Sequence, residues 1–137
     1  STQQEQGPRP LVERTPHVYW LSPPRDWLYQ RINSRVEQMF ADGLIEEVQK
    51  LLASPQGLGQ TARQGLGYKE VIDAIESGMT SDTPTPELID LIQTRTRQFA
   101  KRQHTWFRNL EECHPIPITG TESVAELTER IASSQEL

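Results

Sequence analysis

The stretch TPELIDLIQTRTRQFAKRQHTWFRN, residues 85–109, governs how the rest of the chain is read. Thr85 followed by Pro86 and Glu87 predicts a helix start. A threonine oxygen caps an exposed amide, proline at the first helical position forgoes a bond that had no partner, and an early acid suits the positive helix end. Leu88, Leu91, Ile92, Phe99 and Trp106 recur at helical steps, the last three seven residues apart, so the spacing predicts one helix to about Asn109 with this face toward a core. A charge pattern lies over it. From Leu91 to Leu110 there are five Lys or Arg residues and no acid; the remaining chain holds nine cations and nineteen acids, about −10 within a net charge of −5.

Arg97, Lys101, His104 and Arg108 follow at four, three and four residues, so on a helix they form one stripe, with Arg95 and Arg102 beside it. Like charges one turn apart cost a helix about 0.3 kcal/mol per pair, and no Glu is interleaved to relieve them. An anionic partner accounts for this. Arginine pairs with phosphate through two parallel hydrogen bonds, Gln98, Gln103 and Thr105 can bond sugar, phosphate or base edges, and Trp106 and Phe107 offer rings to an unstacked base. A solvated cationic face is the alternative, and Trp106, in register with Phe99, is expected in the core.

Outward from this helix, VYWL at 18–21 is a short β-type run halted by two prolines in SPPR. From Asp26 the pattern is helical through Leu28, Ile32, Val36, Met39 and Phe40. Gly43 interrupts it, and Leu44, Val48, Leu51 and Leu52 continue until the loop SPQGLGQ. GLGYKEVIDAIESG reads as another helix with Gly78 as its stop, and MTSDTPTP as a linker. PIPI at 115–118 reads as a second short strand, held to a sheet edge by Pro115 and Pro117, and a last helix is expected from about Glu122 to Ala132.

Composition narrows the function classes. The longest apolar runs are too short for a membrane span, and a single cysteine, Cys113, rules out an internal disulfide and any CxxC zinc site. The opening STQQEQGPRP lacks a basic start and an apolar core, so it reads as a mobile terminus rather than a signal peptide.

Two further sites carry chemistry. Arg31 and Arg35 lie one turn apart beside an apolar face, where they could clamp a diphosphate or instead pair with Glu37, Asp42 or Glu46. GLGYK at 65–69 matches neither GxxxxGK[ST] nor GxGxxG, so it is either a tight turn opening a helix or a turn whose amides meet phosphate.

In this order, RINSRVEQMFADGLIEEVQKLL, TARQGLGYKEVIDAI and TRQFAKRQHTWFRN resemble the C-terminal part of bacterial tRNA dimethylallyltransferases, also called tRNA isopentenyltransferases, over roughly Val18 to Ile118. The resemblance implies a mainly α fold. It would be the helical C-terminal part of a P-loop-type α/β transferase, with four to five helices and up to two short β-strands over 17–133, between a disordered segment 1–16 and a disordered tail 134–137. It implies transfer of a dimethylallyl group from its diphosphate to the exocyclic amine of the adenosine 3′ of the anticodon, in tRNAs reading codons that begin with U. Dimethylallyl diphosphate and the tRNA anticodon stem-loop are then the partners, with magnesium assisting in a monomeric, cytoplasmic intact enzyme.

Residue by residue, Arg35, with Arg31 beside it, matches the diphosphate position. Gln64, Gly65, Leu66, Gly67, Tyr68 and Lys69, then Gln98, Lys101, Arg102, Gln103, His104, Thr105 and Arg108, match segments that touch tRNA, with Trp106 bracing the helix. Gly65 stands where a slightly larger residue is usual, and His104 at a variable site. The family's nucleotide-binding (ATP-type) loop of the GPTASGKS kind and its catalytic Asp do not occur in this sequence, so no catalytic or metal-ligating residue is assigned and the chain by itself is expected to be inactive. A non-catalytic helical protein-interaction module is the rival reading.

Overall fold

A computed structural model describes residues 18–134, so the expected disordered segment 1–16 and residues 135–137 of the expected tail lie outside it. The described chain has two short strands, β1 (Val18–Ser22) and β2 (Cys113–Pro117), and six helices. These are α1 (Arg25–Ala41), α2 (Leu44–Ala53), α3 (Gln60–Arg63), α4 (Tyr68–Glu76), α5 (Pro86–Arg108) and α6 (Val124–Ser134). Mainly α with two strands is the expected class. The helix beyond the expected four to five is α3, four residues inside the predicted loop, too short to leave a periodic signature. Ser134, expected in the tail, closes α6.

The chain divides into two compact units, one of Leu28–Lys101 and the other of the segments up to Trp27 and from Arg102. In the first, Gly43 separates α1 from α2 with φ +94°, a conformation that a side chain would strain, so the break falls on the one residue type that adopts it freely. Val36 and Phe40 of α1, Leu44, Ile45 and Val48 of α2, Val71 and Ile72 of α4, and Leu88 and Ile92 of α5 are buried together. Each such side chain contributes roughly 1.5–3 kcal/mol by leaving water. Thr85 Oγ1 accepts the Leu88 amide at 3.1 Å, and Pro86 opens α5 as predicted.

One expectation about that helix fails. Leu91, Phe99 and Trp106, assigned to its core face, are 39%, 47% and 60% exposed. Among the described residues, the core includes Leu88, Ile89 and Ile92 of α5, all near its start, and none of the three exposed residues belongs to it.

In the second unit β1 and β2 run parallel, with Val18 opposite Cys113 and Ser22 opposite Pro117. Parallel strands need a long crossover, here the whole chain between them. Among the described residues the sheet has two strands, which leaves Pro115 and Pro117 on an edge strand. Tyr19 donates its hydroxyl to the Ser134 carbonyl at 3.2 Å, and Arg130 reaches the Pro117 carbonyl at 3.0 Å, tying α6 to both strands. The turn before α6 is organised by Glu122, whose carboxylate accepts the Thr119, Gly120 and Thr121 amides and pairs with Arg130 at 2.8 Å. The Thr119 hydroxyl, aided by the Thr119 and Gly120 amides and only partly opposed by desolvation, holds the Glu122 pKa down at about 2.

Candidate nucleic-acid interface

Within the unit Leu28–Lys101, the GLGYK turn is built by its own backbone. The Gly65 amide donates to the Ala62 carbonyl at 3.1 Å and the Lys69 amide to the Gly65 carbonyl at 3.0 Å. The Gly67 amide donates to Glu70 Oε2 at 2.7 Å. Gly67 is buried with φ +92°, so a bulkier residue there would strain the backbone. These three amides serve the turn itself, as in the tight-turn reading. What the turn offers outward is Gln64, Leu66 and Lys69, all exposed, while Gly65 and Tyr68 are half-buried. Tyr68 donates its hydroxyl to Glu47; that bond, with burial and the negative charge of Glu47, raises the tyrosine pKa above its ordinary 10.0.

Glu70 holds this turn to the long helix. Only 3% exposed, it accepts Gly67 N–H through one oxygen and Arg95 Nη1 at 3.1 Å through the other. A buried carboxylate needs such partners, since leaving them unmet costs on the order of several kcal/mol. The opposite wall of the turn is α1: Met39 Cε stands 3.5 Å from where a Gly67 side chain would begin. Arg35 is one helical turn before Met39 on the same stripe, and Arg31 one turn earlier. Both arginines are exposed. Arg35 forms no ion pair with any described acid, so its salt-bridge alternative is not realised. Met39 thus brings α1 against the glycine turn, and Arg95 links that turn to α5.

The cations of α5 divide sharply. Arg95 is engaged by Glu70, and Arg97 is half-buried with Nη1 on Asn33 Oδ1 at 2.7 Å and Nη2 on Thr94 Oγ1 at 3.1 Å. Lys101, Arg102 and Arg108 are exposed, as are Gln98, Gln103 and Thr105. Arg102 and Arg108 form no ion pair with any described acid. Gln98 stands three residues beyond Arg95, on the side of α5 that Arg95 turns toward the glycine loop. His104 differs from the other predicted contacts on α5. It is half-buried, its ring edge-on to Trp20 at 4.8 Å, and its place is against β1.

Sequence reasoning missed Glu70. An acid three residues after a turn glycine, opening a helix, is the available signal, since that spacing returns the carboxylate to the preceding amide. An open cleft of about 910 Å³ between β2 and α6, along Ile116, Ile118, Glu126 and Arg130, is lined by none of the residues assigned from the sequence. The described residues bring together no group of three or more His, Cys, Asp or Glu side chains that could hold a metal, and none of the described helices is long and apolar enough to cross a membrane.

Within the described residues, helices thus carry both the glycine turn and the basic segment. The chain superposes on the full-length tRNA isopentenylpyrophosphate transferase from Bacillus halodurans with a TM-score of 0.71 and 34% identity, over 87% of this chain and 38% of that one. The tRNA delta(2)-isopentenylpyrophosphate transferase from Staphylococcus epidermidis gives 0.71 and 29%, over 88% and 37%. A family model described as IPP transferase matches residues 1–110, starting ahead of the motifs quoted above. The chain belongs to the IPP transferase family. Relatives named tRNA dimethylallyltransferase include those of Rhodopirellula baltica, 40% identical over 87% of this chain and 34% of theirs, and Carboxydothermus hydrogenoformans, 46% identical over 82% and 34%. The chain spans about a third of the length of the curated relatives it matches.

Proposed function

We propose that this chain supplies the RNA-facing surface and a diphosphate-side arginine of a tRNA dimethylallyltransferase. The reaction transfers a dimethylallyl group from its diphosphate to the exocyclic amine of the adenosine 3′ of the anticodon, in tRNAs reading U-starting codons. The C–O bond to diphosphate breaks, a C–N bond to the amine forms, and the amine loses a proton. The observation that carries the reading is the exposure of Arg102 and Arg108 without a described acid partner, on a chain whose overall charge is −5. A basic surface kept open on an acidic protein suits a polyanion.

In this reading Lys101, Arg102 and Arg108 take phosphates of the anticodon arm. Gln98, Gln103, Thr105 and the Gln64–Lys69 turn add polar contacts, and His104 steadies the helix. Arg35 neutralises charge growing on the departing diphosphate, a contact stronger in the transition state than before it. Magnesium enters only as an ion accompanying the donor diphosphate: the described residues do not fit a metal site, and no step of this chain's chemistry is routed through one. The protein works in the cytoplasm. Lacking the GPTASGKS-type loop and the catalytic Asp, this chain alone does not turn over, because positioning of donor and acceptor supplies several kcal/mol of the barrier.

Titration of the chain with an anticodon stem-loop RNA across a salt series tests the binding half. Affinity should fall steeply with salt, as each neutralised phosphate releases counterions. Salt-independent binding, or none at low salt, would sink it. Incubation with dimethylallyl diphosphate, magnesium and a cognate tRNA tests the other half, where measurable prenylation by the chain alone is the contrary result.

A further inference from the structure

We infer that Trp106, with Arg102 and Gln103 one turn before it, forms a stacking platform for an unpaired nucleobase of an RNA loop; this deepens the tRNA reading above and rests on it. Trp106 is 60% exposed, against the expectation from its spacing that it lies in the core. Leaving so large an apolar ring in water forfeits the burial energy for which tryptophan is ordinarily placed on a helix.

The exposed ring also has an aromatic neighbour. Its centroid lies 5.1 Å from that of Phe107, with the ring planes at 67°. Phe107 lies nearly parallel to Trp20 of β1 at 5.8 Å and 20°, and Trp20 receives the His104 ring edge-on at 4.8 Å. This aromatic chain fixes where Trp106 stands. A braced ring binds a flat partner with little loss of rotamer freedom.

The chemistry beside it selects the partner. Arg102 and Gln103, four and three residues before Trp106, rise on the same side of α5, both exposed, and Arg102 has no described acid partner. A guanidinium beside an aromatic face suits a base and its adjoining phosphate, and an amide carries both a donor and an acceptor for a base edge. A duplex hides base faces within its stack, so the ligand is single-stranded. The excess of positive charge argues for RNA over an apolar protein surface.

Stacking and phosphate pairing are separable by salt, because only the second releases counterions. The chain and its Trp106→Ala, Trp106→Phe and Arg102→Ala variants are titrated with an anticodon stem-loop RNA at several salt concentrations, following tryptophan emission and an independent fluorescent label on the RNA. Trp106→Ala should lose about tenfold in affinity by the same factor at every salt, with unchanged slope, and should lose most of the RNA-induced quenching. Trp106→Phe should keep most of the affinity. Arg102→Ala should instead flatten the salt slope by about one phosphate contact.

Since Trp106 is exposed, circular dichroism and melting of the alanine variant should match the parent. If it does unfold, the Phe variant and the emission of the parent carry the test. Binding by Trp106→Ala within twofold of the parent, alongside weakened binding by Arg102→Ala, overturns the platform and leaves the tRNA reading standing. Failure of the parent chain to bind the RNA at low salt overturns both.

Discussion

Both halves of α5 carry arginines, and those arginines meet different fates. In the first, Arg95 meets the buried Glu70 and Arg97 meets Asn33 and Thr94. In the second, Arg102 and Arg108 stand in solvent with no described acid beside them. From Leu91 onward the sequence shows the same acid-free run of cations across both. What separates a structural arginine from one available to a ligand is whether another segment brings an acceptor to it, as Glu70 and Asn33 do for Arg95 and Arg97.

Changing the acceptor should break the comparison most severely. Glu70→Ala removes the acceptor of the Gly67 amide and the partner of Arg95. A loss of about 2–3 kcal/mol in urea-unfolding free energy is expected, the larger part from the buried amide left unmet, since Arg95 can still reach water. Glu70→Gln, which retains an acceptor oxygen, should lose less.

Arg97→Met is the next test. It keeps the stem but deletes the bonds to Asn33 and Thr94, and about 1 kcal/mol should be lost in the same measurement. An unchanged midpoint would mean that Arg97 belongs with the available cations after all.

Glu122 sharpens the comparison by repeating the Glu70 device, an acid that gathers turn amides and an arginine, in the other unit. Its folded pKa is lowered to about 2 from an ordinary 4.5, so its contribution is complete above about pH 4.5 and is lost as pH falls through about 2. The melting temperature should decline across that window, and Glu122→Gln should remove part of the decline. An identical acid profile in the variant would refute the assignment.

The smallest stability effect belongs to the second half of α5. Arg102→Ala combined with Arg108→Ala should shift unfolding by no more than about 0.5 kcal/mol, as for exposed side chains without partners, while lowering RNA affinity and flattening its salt dependence. A large destabilisation would erase the distinction between the halves.

By itself the amino-acid sequence determined the helices at α1, α2, α4, α5 and α6, both strands and the location of the basic segment, because caps, prolines, glycines and apolar spacing act within a few residues. It also carried the motif order by which the family was recognised. Tertiary structure alone decided that β1 pairs in parallel with β2, that Glu70 joins a glycine turn to Arg95, and that Phe99 and Trp106 emerge from a face whose earlier residues are buried. The reason is physical: helical spacing fixes the direction in which a side chain leaves its helix, but burial and ion pairing depend on what the rest of the chain places in that direction.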